Sequence, residues 1–319
     1  MMHLGLTVYF WGAREQNRLL TELLGPAVAA FERDGSVARF WFDRFDTRGP
    51  HLFAILTLSD RPADGGAEVR RRLATQLEEY LQRRPSMAEL SQEEIETRHR
   101  ECRGKTQCEA DGYPGLAANN SYCLFEHPAG EYPFGLSRGL PDAENRELWR
   151  LLDEQTFWAI DRLADCAATA AVGPAVRWAA ALDVALRALG ADAAAYWRYH
   201  ATTLLLPLAE RLASEELEVL ASLPGAVGEK NTQVFSRGGE EVEGGAEVRQ
   251  PSRRVVELAL ADTGQPSGRR WRLQREITHV VWKQLGMPVA LHVPLVLFAW
   301  HRNLAAAAAA TSPVRAAAG

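Results

Sequence analysis

The stretch that decides the fold is RFWFDRFDTRGPHLFAIL, residues 39–56. Its two halves are rich in aromatic and β-branched residues, and Asp46 to Pro50 between them has turn chemistry. Val37 to Phe45 alternates as a half-buried strand and His51 to Leu58 is a second strand, so a hairpin is predicted. Working outward, Leu4 to Phe10 reads as a strand, and Ala13 to Arg33 carries Leu19, Leu20, Leu23, Leu24, Val28 and Phe31 at helical spacing. Asp34-Gly35 stops that helix. Ala67 to Gln82 is amphipathic, with Arg and Glu on its wet side. The first 85 residues therefore read β-α-β-β-α.

From Pro85 to Pro141 the pattern weakens. A helix starts at Ser91, with Glu94 completing a capping box, and runs to Arg103. One strand, Ser121 to Glu126, follows a segment crowded with Gly, Pro, Asn and Tyr, the kind of irregular polar region that often bears sites. Beyond Pro141-Asp142 the chain turns helical, through Ala175–Leu189, Ala191–Leu212, Ser214–Ser222 and Val255–Asn303, with a Gly/Glu-rich loop from Gly225 to Gly245. The expected fold class is α+β, an N-terminal β-α-β-β-α layer packed with a helix-rich second half. The expected organisation is one domain over residues 1–304: the layer to about 85, an irregular segment over 86–141, helices over 142–304, and a low-complexity alanine tail over 305–319.

The composition is that of a globular protein, 47% hydrophobic and 24% charged in 319 residues. A net charge of −5 lacks the footprint of a nucleic-acid binder, so no such partner is expected. Residues Met1 to Gly12 lack the features of a signal peptide, and the longest apolar candidate for a span, Val289 to Trp300, is short and broken by His292 and Pro294. No membrane is expected, and the cytoplasm is the expected location. Four cysteines, Cys102, Cys108, Cys123 and Cys166, show no disulfide framework. The phosphate loop, the nucleophile elbow and the zinc helix have no match. The nearest approach to a metal set is His99-x2-Cys102-x5-Cys108 with Cys123 and His127, whose spacing is not that of a zinc site, so no metal is expected.

Three segments carry a family resemblance. The hairpin, an aromatic strand ending in Arg followed by D-x-x-G-P-H-L, resembles that of the lantibiotic dehydratase C-terminal (glutamate-elimination) family. Glu276-Ile-Thr-His279-Val-Val-Trp-Lys-Gln-Leu-Gly286 is similar to the family's late helix. Ala195-Tyr-Trp-Arg-Tyr-His200 resembles its aromatic helix. The resemblance implies an enzyme that modifies a ribosomally made precursor peptide, with other enzymes of the same biosynthesis as possible partners. Eliminating members expel glutamate from glutamylated Ser or Thr. Repurposed stand-alone members join two dehydroalanines into the pyridine of a thiopeptide, with loss of water and of the leader peptide as an amide.

The departures separate these. Eliminating members continue the hairpin as H-L-R-L-R, where this chain has Phe53, Ala54 and Ile55 after Leu52. Their central Tyr-Gly-Gly segment with its Glu or Arg is here Glu131-Tyr-Pro-Phe-Gly135, and their late Asn-Arg pair is Lys283-Gln284. Elimination needs a base for the Cα proton and cations for the leaving carboxylates. Losing the arginines favours the ring-forming branch, whose cycloaddition implies no metal or redox cofactor. Elimination, or a non-catalytic chain that presents the leader peptide, are the alternatives.

Under the ring-forming reading His279 is the first candidate for acid–base work, with Glu276 on the same helix face. A histidine packed inside a bundle and a surface carboxylate are the bland alternatives. Asn119, Asn120, Ser121 and Tyr122 offer amide, hydroxyl and phenol groups to a peptide backbone, or else form a plain turn. Arg44 and His51, on adjoining strand ends, are candidates for substrate amides or a carboxyl group. Lys283 and Gln284 are candidates for substrate contact. Trp282, Tyr196 and Tyr199 are candidates for stacking on azole rings, or core.

Overall fold

The computed structural model describes residues 2–45, 48–59, 65–94, 116–127, 142–165, 172–209, 257, 268–287, 292 and 295–304. The fold is α+β, as expected. The chain divides into two compact units, residues 1–171 with 283–286, and residues 172–282 with 287–319. The division falls inside one helix, between Trp282 and Lys283.

In the first unit β1 (His3–Tyr9), β2 (Val37–Phe45), β3 (His51–Leu58) and β4 (Ser121–His127) form an antiparallel sheet in the order β2-β3-β1-β4. The strands fall where alternation places them. The register aligns Phe45 with His51, His51 with Tyr9 and Tyr9 with Ser121, so one row runs across the sheet. The next row, Arg44, Leu52, Val8 and Tyr122, points to the opposite face. That second face carries the buried Phe40, Phe42, Ala54, Leu56, Leu4 and Leu6.

The N-terminal helical segment departs from the expected single α-helix. It comprises α1 (Ala13–Leu19), a π-helical turn (Leu20–Leu24) and α2 (Gly25–Arg33). Pro26 explains the widening: it has no N–H to donate to the preceding turn, and the π turn absorbs the mismatch. The helix ends at Gly35, whose φ of 75° suits glycine, while Ser36 N–H returns to the Phe31 carbonyl.

Helix α3 (Gly65–Arg83) buries Val69, Leu73, Leu77 and Leu81, and α4 (Asp142–Asp165) lies against β2. Strand β2 is the edge strand, and its free backbone groups are met by side chains. Asp153 of α4 accepts from Phe40 N–H at 2.6 Å, and Gln284 Nε2 donates to the Phe42 carbonyl at 2.7 Å. Edge pairing with another chain is thereby blocked at these positions.

The second unit contains α5 (Val172–Ala188), α6 (Ala193–Ala209), most of α7 (Gly268–Gln284) and helical residues 295–304. Trp178, Trp197, Tyr196 and Trp282 are among its fully buried side chains. Among the described residues no helix is long and apolar enough to cross a membrane. The expected segments 214–222 and 225–245, Glu131–Gly135, and the cysteines other than Cys123 lie outside the described residues. The capping box is formed: Glu94 accepts from Ser91 N–H at 2.8 Å and Ser91 Oγ accepts from Glu94 N–H at 3.2 Å.

Candidate functional site

Two polar clusters stand out, one in each unit. In the second, His279 lies one turn from the end of α7 and His200 near the middle of α6. His292 follows the turn after α7. His200 Nε2 is 3.0 Å from His279 Nε2, His279 Nδ1 is 3.0 Å from His292 Nδ1, and His292 Nε2 is 3.3 Å from the Met287 carbonyl. His200 and His292 are fully buried, and His279 is half-buried.

Flat aromatic walls fix the ring planes. His200 is stacked between Trp197 (5.8 Å, 6°) and Trp282 (5.9 Å, 11°), and His292 meets Trp282 edge-on at 5.0 Å. Trp197 is held in turn by its indole N–H, which donates to the buried Asp183 of α5 at 3.0 Å. Asp183 also accepts from Asn303 (2.7 Å) and Arg302 (3.3 Å) and pairs with Arg187.

Burial, then the Coulombic opposition of His279, Arg275 and His292 to a charge there, holds the His200 imidazole well below its usual range, so it is neutral at pH 7. Its Nδ1 is buried without a hydrogen-bond partner. The three rings do not converge on one point, because His279 is approached through both of its nitrogens. Among the described residues no group of His, Cys, Asp or Glu is placed to hold a metal.

The sequence-predicted residues divide accordingly. His279 and Trp282 come together here with Tyr196, whose ring is 5.8 Å from that of His200. Trp282 is wholly buried against histidines, so its faces serve the protein core. Tyr199 is half-buried on α6. Glu276 is on α7, with its side chain outside the described residues. His200 and His292 were not singled out from the sequence. They stand 79 and 13 positions from His279, spacings that carry no periodic signal.

The first unit holds the other cluster. Arg44 is no rim cation. Its guanidinium is enclosed, donating to Gln16 Oε1 (3.2 Å), Asn17 Oδ1 (2.6 Å) and the Gln284 carbonyl (3.0 Å). Burial lowers its pKa to about 10, with Asp43 opposing. Lys283 pairs with the buried Asp43 at 2.5 Å and lies 4.2 Å from the centre of the Phe45 ring. Gln284 donates to Thr156 Oγ1 (2.9 Å) as well as to Phe42. These residues tie the end of α7 to the hairpin.

His51 is buried between Tyr9 (4.9 Å) and Phe45 (5.6 Å), with Nδ1 2.9 Å from the Gly49 carbonyl. Arg44 and His51 lie in adjacent rows of the antiparallel sheet and so point to opposite faces.

The Asn119-Tyr122 group also turns inward. Asn119 accepts from the Trp11 and Asn120 N–H groups and donates to the Ser86 and Ala88 carbonyls. Asn120, at φ 62°, accepts from Ser86 N–H and donates to the Ser86 carbonyl. Ser121 donates to the Ala118 carbonyl. Tyr122 donates to Glu78 at 2.7 Å, and burial with that bond pushes its phenol up to about 12. The turn alternative is the one these bonds fit.

Residues 4–110 match the family model for the lantibiotic biosynthesis dehydratase C-terminus. A comparison with curated protein sequences gave no match. Among solved structures, the fold is similar to that of TbtD, the pyridine synthase from thiomuracin biosynthesis. The identity is 19%, covering 96% of this chain and 98% of TbtD, with a TM-score of 0.67. It is similar at 14% identity to TsrL, covering 95% of this chain and 94% of that one with a TM-score of 0.54. It is also similar at 14% identity to the tRNA-dependent lantibiotic dehydratase MibB from Microbispora sp. 107891, covering 97% of this chain but 28% of MibB, with a TM-score of 0.51. The chain is thus similar to the lantibiotic dehydratase C-terminal family by sequence over residues 4–110, and its fold is similar to those of TbtD and of part of MibB along nearly its whole length.

Proposed function

We propose that the chain closes the central pyridine of a thiopeptide, by a formal [4+2] aza-cycloaddition of two dehydroalanines in a leader-bearing precursor. The observation that carries this reading is the likeness of its fold to that of the thiomuracin pyridine synthase along nearly the whole of both chains. The reaction needs one backbone amide as its iminol, both alkenes within bonding distance, and then loss of water and of the leader as an amide. Proximity alone can supply much of the rate, since effective molarities of order 10⁵–10⁸ M are reached by well-oriented intramolecular partners. The remaining demand is acid–base help, for which the half-buried His279, in contact with His200 and His292, is the candidate.

The charge pattern supports the same reading. At the positions where eliminating relatives carry a late Asn-Arg pair, Lys283 is paired with Asp43 and Gln284 bonds the hairpin and Thr156. One observation favours the second reading, glutamate elimination: Arg275, one turn before His279, acts electrostatically on His200 and so places a cation in that region.

The test uses the purified full-length chain with a synthetic peptide bearing a leader and two dehydroalanines. The expected outcome is a pyridine-containing macrocycle with free leader amide. A glutamylated peptide that releases glutamate in its place establishes the second reading, and tight leader binding without conversion of either peptide establishes a scaffold.

A further inference from the structure

Hydrogen-bond direction along the three histidines is constrained at one end. The Met287 carbonyl only accepts, so His292 carries its proton on Nε2. A neutral His292 then presents a bare Nδ1, which must receive a proton from His279 Nδ1. His279 Nε2 is consequently bare and receives the Nε2–H of His200. The order ends at His200 Nδ1, left with an open lone pair in a dry place. The opposite arrangement needs a cationic His292 and leaves a buried N–H on His200 Nδ1 with nothing to bond. An orphaned donor is rarer and costlier than an under-used acceptor.

We infer that His292, seated on the Met287 carbonyl, is a positioning residue. It fixes His279 as the Nδ1–H tautomer and makes the histidines one directional chain whose open lone pair lies at His200 Nδ1. This rests on the acid–base role proposed for the histidine group. The order leaves His279, the half-buried member of the three, with its Nε2 lone pair engaged by His200 and its Nδ1 proton engaged by His292, so the orientation and tautomer of that ring are set before any substrate proton moves.

Among the described residues, the groups around the chain come from every packed element. Arg275 lies on α7, and Tyr196 and Tyr199 on α6. Asp183 with Arg187, both on α5, acts through Trp197, and Arg302 from the last helix shares Asp183. Arg275 opposes a charge on His200, while Arg187 and Arg302 are paired with Asp183.

The test is nitrogen-15 imidazole NMR of the full-length protein at pH 7, which needs no substrate. The expected spectrum has His279 with its proton on Nδ1, and His200 and His292 with theirs on Nε2. His279 protonated on Nε2, or a cationic ring among the three, overturns the inference. In His292→Phe the His279 proton is expected to move to Nε2. In His292→Gln, whose amide donates to Met287 and accepts from His279, it is expected to stay on Nδ1. Turnover should fall roughly tenfold in the Phe variant with KM within about twofold, and recover in the Gln variant. An unchanged His279 tautomer in the Phe variant also overturns it. The predicted spectra without ring formation remove the reaction and leave the proton order standing. Ring formation with the wrong spectra does the reverse.

Discussion

The two polar clusters use buried hydrogen-bonding groups in opposite ways. Around Arg44 most strong groups are matched by fixed partners, the exceptions being Arg44 Nε and Gln284 Oε1. Amides meet the guanidinium, Asp43 meets Lys283, and Gln284 bonds a sheet edge. Around His279 the groups are imidazoles in hydrogen-bond contact, His200 walled by indoles, with an open nitrogen at one end. The first arrangement has no mobile proton and holds a helix end to a hairpin. The second is a run of imidazoles that ends on an unpartnered nitrogen. Burial alone does not mark a site; an incomplete hydrogen-bond chain among imidazoles, which can both donate and accept, points to one.

The comparison breaks most readily at Asp43. Asp43→Ala removes the buried anion and leaves Arg44 and Lys283 uncompensated, at an expected cost of about 3–5 kcal/mol in denaturant unfolding. A loss within experimental error would mean that the first cluster does not hold. His279→Ala is expected to lower turnover roughly a hundredfold, about 2.7 kcal/mol of barrier, with KM nearly unchanged. Unchanged turnover removes it from the chemistry.

A smaller effect concerns pH in the first unit. Burial, then the Asp153 charge, raises the Glu32 carboxyl to about 7. Burial with the Glu154 charge raises Asp153 to about 6, against the Phe40 bond and Arg39. Both lie above their unfolded values, so the native state binds protons more tightly. Their stabilisation is full below about pH 4 and is lost as pH rises through 6 to 7. Discounted for solvent at the half-exposed Glu32, this is about 1–2 kcal/mol. Asp153→Asn with Glu32→Gln should flatten unfolding free energy between pH 4 and 8, and an unaltered slope would contradict it. The smallest expected change is Trp197→Phe, which keeps a ring on His200 but loses the bond to Asp183, for about 1 kcal/mol of stability. Turnover falling more than stability predicts would assign Trp197 to the histidine chain.

The sheet was legible because alternation and turn chemistry are local. Val37–Phe45 and His51–Leu58 form the predicted hairpin, and its register follows from the short turn. The π turn was less legible, although Pro26 after Gly25 marks it. The inward turn of Arg44 had a usable signal: Gln16 and Asn17 are polar residues beside the buried Leu19 and Leu20, and buried amides demand partners. Asn119 and Asn120 were visible as a group, but their hydrogen bonds reach back to Trp11 and Ser86, which no spacing rule reveals. His279 came from family resemblance. His200 was seen only as part of an aromatic helix and His292 as an interruption in an apolar run. Three helical segments far apart in sequence must pack before their nitrogens meet.

The central claim is ring closure with release of the leader, and single-turnover mass spectrometry on one bis-dehydroalanine peptide measures both at once. The account predicts one leader amide freed for each macrocycle formed, at the same rate and without added cofactor. Leader retained on an uncyclised peptide, while glutamate leaves a glutamylated one, would contradict it.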